Sequence, residues 1–150
     1  MHQADVVRLG PAGEVAVAYP FSSAPTRHRV RILGGADVFA MCAIDALGVA
    51  EMLGVDVEIT SNDPYTGHAV TVHQVGGAST WQLSTTVVVV PASTAKGASA
   101  DCCCSAINFF ASRQTAEAWS TADPELHGEI LDQPPAERLG RRIFCSLLRE

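Results

Sequence analysis

Apolar and polar positions alternate along several short stretches of this chain. Residues 14–18 and 29–33 alternate or run apolar and read as strands, joined by a loop over 20–25. Gly34-Gly35 is a turn. From about Val38 the apolar residues Phe39, Cys42, Ala43, Ala46, Leu47, Ala50 and Leu53 recur at helical spacing, and Gly54 is a natural stop. Residues 55–60 alternate again, Asn62-Asp63-Pro64-Tyr65-Thr66-Gly67 is a turn cluster, and 69–75 returns as the hairpin partner. A further strand is expected over 85–90, then a loop of small and polar residues over 92–100 and a strand end over 108–111. Ser112 is placed to cap a helix running through Ser120, and an amphipathic helix is expected over 135–148 with Pro-Pro at its start. No repeat and no linker interrupts the pattern. It describes one α+β domain over 1–150, antiparallel strands and hairpins carrying short helices, with 1–14 expected to be poorly ordered.

Bulk properties narrow the function. A chain of 150 residues and 15.8 kDa is long enough to bury a core without staples. Ten basic residues stand against sixteen acidic ones, which argues against a nucleic-acid surface. The local Arg27-His28-Arg29-Val30-Arg31 run is basic, but its alternation reads as a strand with one solvated face. No stretch approaches the roughly 18 apolar residues of a membrane span, and Met-His-Gln-Ala-Asp lacks the charged-then-apolar start of a signal peptide. Five cysteines, three of them consecutive, make a poor disulfide framework. The expectation is a cytoplasmic protein with free thiols.

Chemistry concentrates in two segments. Met41-Cys42-Ala43-Ile44-Asp45-Ala46-Leu47 pairs a thiol with a carboxylate three residues on, which places both on one helical face. A helix N-terminus there would favour the thiolate. Alone, Cys42 would read as a small buried hydrophobe; the acid on the same face argues otherwise. Cys102-Cys103-Cys104 leads through Ser105-Ala106-Ile107 into Asn108-Phe109-Phe110-Ala111-Ser112. Thiolates suit soft metals, and a carboxylate beside them can hold or deliver a proton. In an extended segment Cys102 and Cys104 face one side and Cys103 the other. Cys145, between Phe144 and Leu147, reads as packing. His68 and His73 fall on opposite faces of a strand and do not share a zinc, and Trp81 and Trp119 read as core or interface aromatics.

Taken in order, these segments resemble the organomercurial (alkylmercury) lyases, in which a C-A-x-D-x-L segment opens a helix and a cysteine segment runs into N/H-F-F-A-S. Ala18-Tyr19-Pro20-Phe21, Pro25-Thr26-Arg27-His28-Arg29-Val30, Thr115-Ala116-Glu117-Ala118-Trp119 and Gly140-Arg141-Arg142-Ile143-Phe144 extend the likeness over about 15–148. It implies an alkylmercury-lyase-like core that breaks carbon–mercury bonds by protonolysis in mercury detoxification. Cys42 and Cys104 would bind the metal of an organomercurial substrate, with Asp45 as proton carrier and third contact to the mercury. Cys104 is reached by counting back from Phe109-Phe110; Cys102 is either a third pocket thiol or a surface residue. One ion held by both thiolates needs sulfurs about 4–5 Å apart, with Ile44, Phe109 and Phe110 as walls. No organic cofactor is implied: Hg(II) is the bound product, and small thiols or a mercuric reductase take it away. The likeness departs in three places. Only 41 residues precede Cys42, which leaves no room for the family's winged-helix-like N-terminal domain. Met41 stands where an aromatic is usual, and Asp63 where some members have a cysteine. An open pocket accepting aryl substrates is then expected, as is a homodimer covering apolar surface at Phe21, Phe39 and Met41. Competing readings are a thiolate carrier of mercury, copper or zinc, and a lyase-like enzyme recruited to another pathway.

Overall fold

The computed structural model describes residues 7–9, 11–13, 15–18, 20–91, 106–123 and 128–144. Eight strands form one antiparallel sheet: β1 (Val7–Leu9), β2 (Val15–Ala18), β3 (Phe21–Ser22), β4 (His28–Ile32), β5 (Asp37–Ala40), β6 (Val57–Asn62), β7 (Ala69–Val75) and β8 (Ala78–Trp81). Their order is β1-β2-β3-β5-β4-β6-β7-β8. A smaller antiparallel sheet has β9 (Val87–Pro91) at its centre, between β10 (Asn108–Phe110) and β11 (Gly128–Leu131). Three helices complete the described chain: α1 (Ala43–Leu53), α2 (Arg113–Ala122) and α3 (Gln133–Phe144). The expected α+β class and most hairpins are present. Among the described residues, no helix is long and apolar enough to cross a membrane.

One element differs from the sequence reading. The stretch from Val38 is not the start of the helix: Asp37–Ala40 is β5, folded back on β4 around the Gly34-Gly35 turn, with Val38 opposite Val30 and Phe39 opposite Arg29. The Arg29–Asp37 ion pair closes that hairpin. Helix α1 therefore begins only after Cys42, and its end is as expected, with Gly54 in the left-handed region at φ 65°. Two short strands lay in segments read as irregular: β3, and β8 behind the Gly76-Gly77 turn, where φ values of 60° and 81° suit a two-residue hairpin.

Burial explains the layering. In β4, His28 and Val30 point inward while Arg29 and Arg31 are exposed, the solvated basic face expected from alternation. Helix α1 is different, because every residue from Ala43 to Val49 is buried. A helix apolar all round must be covered all round, and α1 is enclosed by β4, β5, β6, β10 and α3. Its closest neighbour is α3, where Gly48 lies against Phe144 and Gly140 against the backbone of Ile44 and Gly48. The core joins Val30, Leu47, Ile59, Val72, Phe109 and Phe144 around this helix. Cys42 belongs to the same cluster.

Candidate active site

The head of α1 carries two of the candidate residues, Cys42 and Asp45. The Met41 N–H donates to Pro20 O at 2.9 Å, so the chain leaves β5 anchored to the strand beside it. Cys42 is then extended, φ −153° and ψ 176°, and serves as the N-cap of α1. Its Sγ accepts the Asp45 N–H at 3.4 Å, and its carbonyl accepts the Ala46 N–H at 3.0 Å. Ser, Thr, Asp and Asn usually fill such a position with oxygen. Here a sulfur receives the unsatisfied backbone N–H, at the helix end whose polarity favours negative charge. Asp45, in the first turn of α1, profits from the same polarity. Cys42 is 2% exposed and Asp45 5%. A thiol and a carboxylate are thus buried together within one helical turn, by local backbone geometry.

The strand that follows the second cysteine segment docks on this turn. The Ala43 N–H donates to Ile107 O at 3.1 Å, which ties the residue ahead of β10 to the head of α1. Phe109 joins the core cluster that holds Cys42 and Ile44. Phe110 does not. Successive residues of a strand face opposite sides, and Phe110 turns away to pack with Val87, Val89, Ala116 and Trp119, its ring centroid 5.1 Å from that of Trp119. Phe21, Phe39 and Met41 are only half-exposed, and Phe21 and Met41 pack against the core. Cys102, Cys103, Cys104 and Cys145 lie outside the described residues, and so does the Cys42–Cys104 separation. Among the described residues, no cluster of three or more His, Cys, Asp or Glu side chains could hold a metal. His73 is accounted for by Glu58, 2.8 Å away across β6 and β7.

Two polar residues around this region escaped the sequence reading. Asp63 is fully buried and accepts four hydrogen bonds, from Tyr65 N, Thr66 N, Ala111 N and Thr115 Oγ1. It pins the β6–β7 turn to the end of β10 and the start of α2. Only its turn-forming character was legible, in Asn62-Asp63-Pro64. His28 is 3% exposed, with Nδ1 2.9 Å from Ser61 Oγ and a second hydrogen bond to the Asn108 side chain. Burial, then the charge of Arg27, pushes its pKa down to about 3, against a smaller upward pull from Asn108. The ring therefore bridges Ser61 on one strand and Asn108 on another. Its inward direction was legible from the alternation with Val30; its partners were not.

The chain is similar to known proteins in sequence and in fold. The family model for alkylmercury lyase (MerB) matches residues 21–145. An alkylmercury lyase of Staphylococcus epidermidis (strain ATCC 12228 / FDA PCI 1200) is 31% identical over 139 residues, covering 91% of this chain and 62% of that protein. The chain therefore spans less than two thirds of that relative's length. Among solved structures, the mercury-bound form of MerB2 superposes with a TM-score of 0.82 at 27% identity, over 94% of this chain and 68% of that one.

Proposed function

This chain belongs to the alkylmercury lyase family, and we propose that it cleaves the carbon–mercury bond of organomercurials by protonolysis. The observation that carries the reading is the burial of Cys42 and Asp45 in one turn at the head of α1, with a backbone N–H on the sulfur. A lone thiolate would suffice for a surface metal ligand. A buried acid beside it serves proton delivery, which a metal carrier does not need.

Cys42 and Cys104 are the two proposed thiolate ligands. Cys104 is three positions before Ile107, whose carbonyl holds Ala43. Extended chain spans at most ~3.6 Å per residue, so Cys104 Cα is within about 11 Å of Ile107 Cα. That reach supports a shared site. The step balances as R–Hg⁺ plus two thiols giving R–H, Hg(II) bound by two thiolates, and one proton. One sulfur bonds the metal and releases its proton to Asp45. The second sulfur then adds, and donation from both weakens the bond to carbon. The carbon takes the proton back from Asp45 with the electron pair of the breaking bond, and leaves as hydrocarbon. No organic cofactor is called for. Small thiols or a mercuric reductase would remove Hg(II), and a thiol-reducing compartment such as the cytoplasm suits free cysteines.

The test is headspace methane from methylmercury with excess small thiol. Cys42→Ala and Cys104→Ala should each lower the rate by at least about a hundredfold, the scale on which catalytic groups act, while Cys103→Ala and Cys145→Ala keep most activity. Loss in Cys103→Ala with retention in Cys104→Ala would move the second ligand by one residue. Mercury binding with no methane from the parent chain would leave a carrier.

A further inference from the structure

The proposed chemistry makes no use of His28, yet its imidazole is buried, with Nδ1 on Ser61 Oγ and Asn108 as a second partner. Desolvating a polar ring inside a strand costs free energy that valine would not. One of its partners lies in its own sheet and the other in the second sheet. Ser61 lies on β6 of the large sheet, and Asn108 opens β10 of the small one. The ring also meets Phe109 edge-on, with centroids 5.8 Å apart. Asn108 directly follows Ile107, whose carbonyl receives the Ala43 N–H at 3.1 Å. Ala43 directly follows Cys42. A continuous path, buried except at half-buried Ile107, thus leads from Ser61 through His28, Asn108, Ile107 and Ala43 to the proposed thiol ligand.

We propose that His28 is a positioning residue for the head of α1: tied to Ser61 and resting edge-on against Phe109 beside its partner Asn108, it fixes the start of β10, and through the Ile107–Ala43 bond it holds Cys42 and Asp45 in register with that strand. Its effect on rate rests on the lyase reading, but the positioning can be read without turnover. Such a link matters because a displacement of about 1 Å at reacting groups costs on the order of a hundredfold in rate.

Two substitutions separate positioning from packing. In His28→Gln the side-chain amide stands near Nε2 and retains a partner for Asn108. In His28→Asn it stands near Nδ1, retains the Ser61 contact and removes that partner. Amide hydrogen exchange at Ala43 is measured against the core amides of β6 and β7, beside the kcat and KM of methylmercury protonolysis. A general loss of stability raises exchange everywhere; loss of the link raises it at Ala43 selectively. For His28→Asn we expect Ala43 exchange to rise by at least about tenfold relative to the core amides, and kcat to fall by about ten- to a hundredfold with KM little changed. His28→Gln should stay within about threefold of the parent on both measures. Unchanged relative protection of Ala43 in His28→Asn, or equal losses in both variants, would overturn the proposal. Absence of methane from the parent would overturn the lyase reading instead, and Ala43 exchange would then decide the positioning role alone.

Discussion

At the scale of residues, the site is compact because its key pair is local in sequence. Cys42 and Asp45 need only one helical turn to meet, so their pairing was legible from spacing. The role of Cys42 as N-cap was not, because Phe39, Cys42 and Ala43 satisfy helical spacing although Phe39 belongs to a strand. His28 and Asp63 were hidden for another reason: their partners lie far along the chain and only the fold joins them. The buried histidine has a measurable consequence. Its pKa is about 3 in the folded protein against 6.5 for the ordinary side chain. Below pH 6.5 the unfolded chain takes up a proton that the folded one refuses, so stability falls as pH drops toward 3. The slope is about 1.4 kcal/mol per pH unit. Urea denaturation at pH 7 and pH 5 should show the parent losing about 2 kcal/mol more than His28→Gln. Equal losses would mean that His28 titrates normally.

At the scale of elements, two contacts lock neighbouring elements together. The first is the approach of α1 to α3. A Cβ at Gly140 would stand 2.9 Å from Ile44 O and 3.1 Å from Gly48 N, both backbone atoms, so the helices must separate to admit it. Gly140→Ala should cost about 1–3 kcal/mol despite alanine's better helix propensity. Because Ile44 lies between Cys42 and Asp45, the rate of protonolysis should fall too. A thermal melt at or above the parent's Tm would show that the contact is slack. The second is Asp63. Each of its oxygens accepts two donors, so Asp63→Asn turns an N–H₂ toward two of them whichever way the amide flips. The expected loss is about 2–3 kcal/mol by chemical denaturation; a neutral result would mean that the turn rearranges around it. The helix ends and the long hairpin were legible from Gly54, Ser112 and alternation. The two residues of β3 and the four of β11 carry too few positions for a period to show.

At the scale of the whole molecule, the apolar helix α1 is the axis on which both sheets and α3 converge. That is why the family's motifs, scattered between Pro20 and Phe144, belong to one structure: Pro20 anchors Met41, Ile107 anchors Ala43, and Gly140 and Phe144 seat Gly48. The likeness to the mercury-bound form of MerB2, with a TM-score of 0.82, extends over that whole frame. The class of the fold could be read from periodicity. The enclosure of α1 could not, since burial on every side depends on elements distant in sequence.

The central claim is that Asp45 returns a thiol's proton to carbon. Methylmercury and excess small thiol, supplied to the parent and to Asp45→Asn, test it directly, with methane and protein-bound mercury measured together. The account predicts one methane per mercury delivered by the parent, and bound mercury with methane release slowed by at least about a hundredfold in Asp45→Asn. Methane from Asp45→Asn at the parent's rate would contradict it.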